Sequence, residues 1–320
     1  MNLFNNFKNM YLILPIFGYL SAYYLIKILI PILKKYFLDL PNSRSSHEKP
    51  IPRGGGLIFP VQSIIISFIS GDFLSLICLP LALIGFLDDR YNLSSFFRFL
   101  IQILTALLII FYSPFLFDNL QNFGAINIII IPFLILTFTG FINFINFMDG
   151  IDGLVASCFL FGFLFLGFEN DPFIFIFVGT LGAFLKWNWN PAKVFMGDVG
   201  STFLAAYFLI NLLKINSLTN IISLFLILSP LTIDSFSCVV RRYFQGQNIF
   251  KPHKLHLYQR LCKSGLSHSK VTIIYASSSL SLGLIYNMFG IYSLVVMIMI
   301  LVLFGLWLNK NIAAPFKNDL

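Results

Sequence analysis

The sequence predicts an all-α integral membrane protein, a polytopic bundle of about 11 transmembrane helices with its N-terminus outside and its C-terminus cytoplasmic. The first observation is composition: 58% of the 320 residues are hydrophobic and 11% are charged, whereas about 25% of the residues of soluble domains are charged. The second is the recurrence of apolar runs that approach the length of a bilayer crossing. These runs cover residues 11–33, 57–70, 73–87, 96–113, 126–145, 153–168, 172–187, 199–213, 219–240, 271–288 and 290–308.

The third observation is the distribution of basic residues between these runs. Most Lys and Arg residues lie in segments 34–56, 88–95, 187–198, 241–270 and the tail from 309. Because Lys and Arg accumulate on the cytoplasmic side of membrane proteins, these segments are expected inside. The net charge of +8 then reflects topology, and we expect no nucleic-acid partner. Residues 1–320 are interpreted as one membrane domain.

Polar residues that could carry chemistry are concentrated in the inside segments. Asp88 and Asp89 close the third apolar run and form an adjacent pair of carboxylates. Such a pair could cap a helix or bind Arg90 and Arg98. Paired acids also suit metal-phosphate chemistry, and carboxylates so close to hydrocarbon carry a desolvation cost that favours a function.

A second acidic segment, over residues 146–152, follows the fifth run. Asn143, Asn146, Asp149 and Asp152 recur every three residues, so they would share one face if helical geometry holds through Gly150. The alternative is that one of them caps the next helix. A helix cap would account for only one of these four polar residues. The regular spacing of all four therefore predicts a polar stripe along one helix face.

The remaining motifs lie in three inside segments. Asp198 stands between two glycines and could cap a helix, but its carboxylate could equally bind Mg²⁺, and Phe195 is a candidate for stacking on a base. Arg44 and Arg53 flank a loop that ends in three glycines. His253 and His256 could bind zinc, yet the sequence supplies no further Cys or His pair for such a site, so contact with phosphate or acid/base chemistry is favoured.

Together these motifs make the sequence similar to the polyprenyl-phosphate N-acetylhexosamine-1-phosphate transferase family, within glycosyltransferase family 4. Five motifs occur in the family's order between residues 39 and 261. They are DxPNxRSSHxxPxPRGGG from 39, DDRxxLSxxxR from 88, NxxNxxDGxDGL from 143, PAKxFMGDxGS from 191 and HxxHxYQRL from 253.

The resemblance implies transfer of an N-acetylhexosamine-1-phosphate from a UDP-amino-sugar to undecaprenyl phosphate, with release of UMP. It implies a multi-pass protein of the bacterial inner membrane, in contact with membrane lipids, with its active site facing the cytoplasm and with a homodimer left open. Mg²⁺ is the implied cofactor, with Mn²⁺ as a substitute, and Asp198 is the implied metal ligand. The implied catalytic residues are Asp88, Asp89, His253 and His256, and the implied substrate-binding residues are Arg44, Arg53, Asn143, Asn146, Asp149, Asp152, Asn188 and Phe195.

One departure indicates the branch of the family. The muramoyl-pentapeptide branch has three consecutive histidines in the last loop and a lysine soon after the aspartate pair. Here the loop reads HKLHLYQRL, and Asn92 and Leu93 follow Tyr91. The sequence therefore resembles more closely the branch that starts O-antigen-like surface polysaccharides, with the muramoyl-pentapeptide substrate as the alternative.

A transporter is the rival from another functional class, because it too would have many spans and acids at membrane level. Transporter charges are expected near the middle of the membrane. Only Asp234 lies within a predicted run, where Arg241 or Arg242 could pair with it. The other acids lie at the ends of runs on one side, which favours an interfacial enzyme.

Overall fold

The structure, a computed structural model, describes residues 2–39, 49–249, 251 and 253–317. This part of the chain is helical apart from one short hairpin. The helices are α1 Asn2–Tyr36, α2 Ile58–Ser70, α3 Leu79–Tyr91, α4 Ser95–Tyr112, α5 Pro114–Phe123, α6 Asn127–Met148, α7 Leu154–Glu169, α8 Ile174–Asn188, α9 Asp198–Leu212, α10 Leu218–Leu226, α11 Ser229–Phe244, α12 Leu257–Lys263 and α13 His268–Asn311. The hairpin strands are β1 Leu38–Asp39 and β2 Ile51–Pro52.

The lengths and composition of these helices confirm a polytopic membrane protein. Four segments of the described chain are long and apolar enough to cross a bilayer: Leu12–Tyr36, Ser95–Tyr112, Gly124–Met148 and His268–Asn311. Helices α10 and α11 meet at 71° and together make a fifth candidate crossing. Shorter apolar helices such as α7, α8 and α9 lie among them. The number of 11 spans and the orientation of the bundle stay predictions.

Several predicted boundaries were wrong in ways that have local causes. The segment between the fourth and fifth predicted runs contains α5, because the Ser113 hydroxyl accepts a hydrogen bond from the Leu116 amide and Pro114 suits a first helical turn. Asp88 and Asp89 belong to the last turn of α3 rather than to a loop. By contrast, the break between the last two predicted runs is confirmed, because the backbone of α13 leaves helical geometry at Gly290.

Helix α9 is the centre of the bundle. Each of its residues from Val199 to Leu212 is buried, as expected for a helix that is apolar on all sides. Helix α3 packs closely against its first turn, since a Cβ at Gly85 would lie 2.6 Å from the Val199 Cα. This approach places the acidic end of α3 beside Asp198, the first residue of α9.

The short hairpin brings a basic residue to the same point. Strands β1 and β2 pair antiparallel, with Leu38 opposite Pro52. The chain after Arg53 is then held by backbone hydrogen bonds of 2.9 Å from the Gly55 and Gly56 amides to the segment just before α9. Arg53 is thereby fixed near the start of α9. The predicted substrate-binding residue Arg44 lies outside the described residues.

Candidate active site

The carboxylate of Asp89 holds the N-terminus of α9. Its two oxygens accept hydrogen bonds from the backbone amides of Asp198, at 3.0 Å, and Val199, at 3.2 Å. The Arg53 guanidinium lies 2.7 Å from the same carboxylate, whose side chain is fully buried. A carboxylate at a helix N-terminus is stabilised by the free amides and by the helix dipole. Asp89 therefore fixes the position of the neighbouring Asp198.

Asp88 and Asp198 share one cation. The Nη1 atom of Arg98 lies 2.8 Å from the Asp88 Oδ2 and 2.9 Å from the Asp198 Oδ2. The Arg53 Nη2 atom lies 3.8 Å from the other carboxylate oxygen of Asp198, Oδ1. Two arginines thus offset two of the three clustered negative charges, and Asp88 and Asp198 share the partly exposed Arg98.

The acidic cluster raises the pKa values of its members. Burial, followed by the neighbouring Asp198 carboxylate, raises the pKa of Asp88 to about 6. Burial is also the main cause that raises the pKa of Asp89 to about 7, against the opposing effect of Arg53. Asp149 follows the same rule, with a pKa of about 7 from burial and from the charges of Asp198 and Asp89. Like charges held together away from water favour binding of a cation.

Two amide side chains of α6 face this cluster. The Ser201 hydroxyl donates to the Asn146 Oδ1 at 2.8 Å, which turns the Asn146 amide nitrogen toward the Asp198 Oδ2 at 3.5 Å. Asn143 exchanges hydrogen bonds with Gln102 of α4 at 2.7 and 3.3 Å. Helix α6 ends at Met148, so the predicted stripe is helical at the asparagines and does not continue as helix through Gly150.

A cavity of about 740 Å³ opens beside Asp198, within the range of small-molecule sites. It is lined by polar residues from four parts of the chain that lie far apart in sequence. Those lining residues include Arg98, Gln102, Asn143, Asn146, Asp198, Thr202, Lys251, His253, His256 and Gln259. The structure thus brings five of the residues assigned to the site from the sequence to one cavity: Asn143, Asn146, Asp198, His253 and His256. Their roles in catalysis and binding stay predictions.

The histidine segment is fastened to the end of α6. The Tyr258 hydroxyl donates to the Phe147 carbonyl at 3.0 Å. The His253 Nδ1 accepts a hydrogen bond from the Leu255 amide at 3.3 Å, so a neutral His253 carries its proton on Nε2. Burial, His256 and Arg242 lower the pKa of His253 to about 3, and burial and Arg242 lower that of His256 to about 4. Both rings are therefore neutral at pH 7.

Cys238 of α11 joins the two histidines in space. One ligand atom from each of Cys238, His253 and His256 lies within 4.8 Å of the other two, a proximity that spacing in the sequence did not reveal. A neutral His253, however, has its Nδ1 lone pair engaged by Leu255 and its Nε2 protonated. The ring then offers a metal no free lone pair, and its Nε2–H is a hydrogen-bond donor instead.

The predicted ion pair of Asp234 with Arg241 or Arg242 was wrong. Its carboxylate accepts hydrogen bonds from the Leu257 amide at 2.7 Å, the Tyr258 amide at 3.1 Å and the Tyr275 hydroxyl at 2.7 Å. These amides begin α12, so Asp234 satisfies a helix N-terminus that would otherwise have unpaired donors. Its acceptance of three protein donors fits a structural role.

Three predicted substrate-binding residues lie beside the cluster and bond to the protein itself. The buried Asn188 accepts from the Gly153 amide and donates to the Val194 carbonyl, both at 2.9 Å. Asp152 accepts from the Asn190 side chain at 2.8 Å and from the Ala192 amide at 3.2 Å. The Phe195 amide donates to the Pro52 carbonyl at 2.8 Å. Their contacts shape the segment before α9, and their binding of uracil or sugar stays a prediction.

Arg98, Gln102 and Ser201 were absent from the residues assigned to the site from sequence. Arg98 enters the sequence analysis as a possible partner of the aspartates and as the last residue of the second motif, which was the available signal for it. Gln102 lies four residues later and therefore on the same face of α4. Ser201 lies inside the fourth motif but carries no charge, so its orienting effect on Asn146 appears only in three dimensions.

Comparison with known proteins accounts for this arrangement of motifs. The glycosyl transferase family 4 profile matches residues 73–216. A Haemophilus influenzae protein named undecaprenyl-phosphate alpha-N-acetylglucosaminyl 1-phosphate transferase is 30% identical over 267 residues, which are 74% of this chain and 75% of the relative. This chain belongs to glycosyl transferase family 4.

Other family 4 relatives carry two kinds of name. A Bacillus subtilis protein, named probable undecaprenyl-phosphate N-acetylglucosaminyl 1-phosphate transferase, is 29% identical over 284 residues, 78% of this chain and 77% of the relative. A Wolbachia pipientis wMel protein, named phospho-N-acetylmuramoyl-pentapeptide-transferase, is 30% identical over 285 residues, 75% of this chain and 86% of the relative. The profile match includes the three clustered aspartates and ends before the histidine segment.

Proposed function

We propose that this family 4 protein transfers N-acetylglucosamine-1-phosphate, or a closely related N-acetylhexosamine-1-phosphate, from a UDP-sugar to undecaprenyl phosphate. The lipid-linked product would start a surface polysaccharide repeat unit of the O-antigen kind. The observation that supports it most directly is the cluster of Asp88, Asp89 and Asp198, of which Asp198 lines a cavity together with arginine, histidine and amide side chains. The names of the Bacillus and Haemophilus relatives agree with this activity.

The reaction exchanges one phosphoanhydride for another. An oxygen of the lipid phosphate attacks the phosphorus that bears the sugar, and a new anhydride bond forms. The bond from that phosphorus to the UMP phosphate breaks, and UMP leaves with the bonding electrons. Such a transfer depends on positioning and on neutralisation of charge, which the arginines and neutral histidine donors around the cavity can supply.

The two adjacent aspartates have different freedom to take part. Both oxygens of Asp89 accept backbone hydrogen bonds from α9, so its carboxylate is committed to holding that helix. Asp88 is bound through Arg98 and lies nearer the exposed side of the cluster. We therefore assign to Asp88 the positioning of the lipid phosphate, with Asp89 as the support for Asp198.

The cluster fits a divalent cation. Carboxylate and amide oxygens are the hard ligands that Mg²⁺ prefers, and two guanidinium groups already mark the cluster as a place where positive charge is stabilised. The carboxylates of Asp198 and Asp88 would hold the ion, and the Asn146 amide nitrogen, which faces Asp198, would help to orient that carboxylate. When bound, Mg²⁺ would neutralise charge on the phosphates during transfer.

The muramoyl-pentapeptide donor is the second candidate, supported by the Wolbachia relative. Both donors contain UDP, and they differ in the sugar and in the peptide that only the muramoyl donor carries. The histidine segment lies outside the matched region of the family profile, and it is where the muramoyl-pentapeptide branch of the family that this chain resembles has three consecutive histidines. Its sequence HKLHLYQRL favours the N-acetylglucosamine donor.

A direct assay tests the proposal. Purified protein in nanodiscs receives undecaprenyl phosphate, Mg²⁺ and one UDP-sugar at a time, and mass spectrometry identifies the lipid product. We expect a diphosphate-linked N-acetylhexosamine and equimolar UMP, strongest with UDP-N-acetylglucosamine. The Asp198→Asn variant is the matched control and should lose at least about 100-fold in rate, which corresponds to roughly 2.7 kcal/mol. Product with the muramoyl-pentapeptide donor alone would contradict the proposal.

A further inference from the structure

Arg98 occupies the position in the cluster where a cation is most needed. A single nitrogen of its guanidinium lies within hydrogen-bond distance of both Asp88 and Asp198. The two carboxylates lie close together, because their Oδ2 atoms are 2.8 and 2.9 Å from that one nitrogen. Removal of the guanidinium would leave two neighbouring negative charges partly shielded from water. The two carboxylates therefore attract a divalent cation to the same place for the same reason that they attract the guanidinium: each offsets their negative charge.

Arg98 also faces the substrate cavity. It lines the same cavity as Asn146 and His253, and its side chain is about one third exposed. It projects from the first turn of α4 and already forms part of the cavity wall. Rotation about the bonds of this long side chain is therefore enough to turn the guanidinium from the carboxylates toward the cavity while α4 stays in place.

Entry of a diphosphate would reverse the charge balance around Arg98. A divalent cation between Asp88 and Asp198 repels a guanidinium a few ångströms away, whereas phosphate oxygens in the cavity attract it. Arginine binds phosphate through two parallel hydrogen bonds, which makes such a contact strong and directional. Asn146, which Ser201 orients toward Asp198, remains as a donor on the carboxylate that Arg98 leaves.

We propose that Arg98 is a ligand of the donor diphosphate that exchanges places with the divalent cation, being held on Asp88 and Asp198 until the cation arrives. The inference rests on the proposed phosphotransferase function and adds a substrate-binding residue to it. Its thermodynamic consequence is specific. Arg98 competes with the cation when no anion is present, and it makes binding of cation and diphosphate mutually favourable when both are present.

The test measures binding without catalysis. Mn²⁺ binding to the purified protein is followed by the electron paramagnetic resonance signal of free Mn²⁺, and inorganic pyrophosphate serves as the anion probe. In Arg98→Gln, the dissociation constant for Mn²⁺ alone should fall about three- to tenfold, because a competing ion pair is gone. Pyrophosphate affinity in saturating Mn²⁺ should weaken about tenfold. These opposite changes are not expected from a residue that only supports the fold.

Two variants keep the test interpretable. Arg98→Lys retains the positive charge, so its Mn²⁺ affinity should stay near that of the wild type even where pyrophosphate binding weakens. Arg90→Gln removes a neighbouring arginine that stacks on Phe37 and Tyr91 and should change neither affinity. Unchanged or weaker Mn²⁺ binding in Arg98→Gln would overturn the exchange, as would Mn²⁺ binding by neither protein. No sugar is involved, so an incorrect donor assignment would leave these results unaffected.

Discussion

The carboxylate of Asp89 accepts a hydrogen bond of 3.0 Å from the backbone amide of Asp198. This bond connects the end of α3 to the start of α9 across more than 100 positions of sequence. This bond explains why the adjacent residues Asp88 and Asp89 have different surroundings. Asp89 is turned toward buried backbone donors, whereas Asp88 is turned toward Arg98, which lines the cavity.

Exchange of each aspartate for asparagine should separate these roles. Asp89→Asn places an amide group where acceptors are required, so we expect about 2 kcal/mol loss in the free energy of unfolding together with loss of activity. Asp88→Asn should lose most UMP release while the free energy of unfolding stays within about 0.5 kcal/mol of the wild type. Unfolding in mixed detergent micelles gives the first quantity. Equal destabilisation by the two variants would refute this division.

The acidic centre was predictable from sequence as a set of residues on one membrane face. Asp88, Asp89 and Asp198 occur beside apolar runs whose ends share a basic flank, and the structure brings these carboxylates together. The assignment within the set was not predictable. It depends on how closely α3 approaches α9 at Gly85, and one sequence does not reveal that distance.

Amide side chains show a second limit of sequence interpretation. Asn146 and Asn188 both belong to family motifs, but Asn146 faces Asp198 whereas Asn188 bonds to two backbone groups. An asparagine can donate and accept in either setting. Only the path of the surrounding backbone decides between them, as also for Asp234, whose acceptors are filled by amides of α12.

Gly197 should be intolerant of a side chain. Its φ of 75° lies in the region that favours glycine, and a Cβ there would lie 2.4 Å from the Asp89 Oδ2. Gly197→Ala should therefore destabilise the protein by about 1–3 kcal/mol through strain and also displace Asp89, with a large loss of UMP release. Gly71→Ala is a matched control, since its φ is 74° and a Cβ would meet nothing within 4 Å. Equal activity in the two variants would exclude the effect through Asp89.

Stability should depend on pH through the buried His256. Its pKa is about 4 in the folded protein, against about 6.5 when unfolded, so the unfolded state takes up a proton first as pH falls. The folded state consequently loses about 2 kcal/mol from this group between pH 7 and pH 5. His256→Gln should lose correspondingly less stability over that interval, measured by unfolding in micelles at each pH. An unchanged pH dependence would show that His256 protonates equally in both states.

The shared cavity makes a prediction about topology. Arg53 contacts the aspartate cluster and His253 lines the adjacent cavity, so their segments must lie on the same side of the membrane. Reporter fusions after Gly246 should report the cytoplasm, and fusions after Gly71 the outside. Lys214, a basic residue on the predicted outer side, forms an ion pair with Asp72, which reduces its influence on orientation. A cytoplasmic signal from both fusion points would contradict this arrangement.

The last prediction concerns the choice of sugar. The aspartate cluster deals with the diphosphate that all UDP-sugars share, so discrimination must come from groups that face the hexose. The histidine segment within residues 241–270 contributes His253, His256 and Gln259 to the cavity. Hydrogen bonds from such groups discriminate strongly when a mismatched substrate leaves one of them buried and unpaired.

We therefore expect a graft of residues 241–270 from a relative that uses a different UDP-N-acetylhexosamine to switch donor preference. The graft must retain Tyr258, which binds the Phe147 carbonyl, and the start of α12, whose Leu257 amide binds Asp234 outside the grafted residues. His253→Ala should instead lower turnover with every donor if this histidine donates to the diphosphate, and the other residues of the segment would then select the sugar. The measurement is kcat/KM for two donors in the wild type, the graft and the alanine variant. An active graft with the original preference would place sugar selection outside this segment.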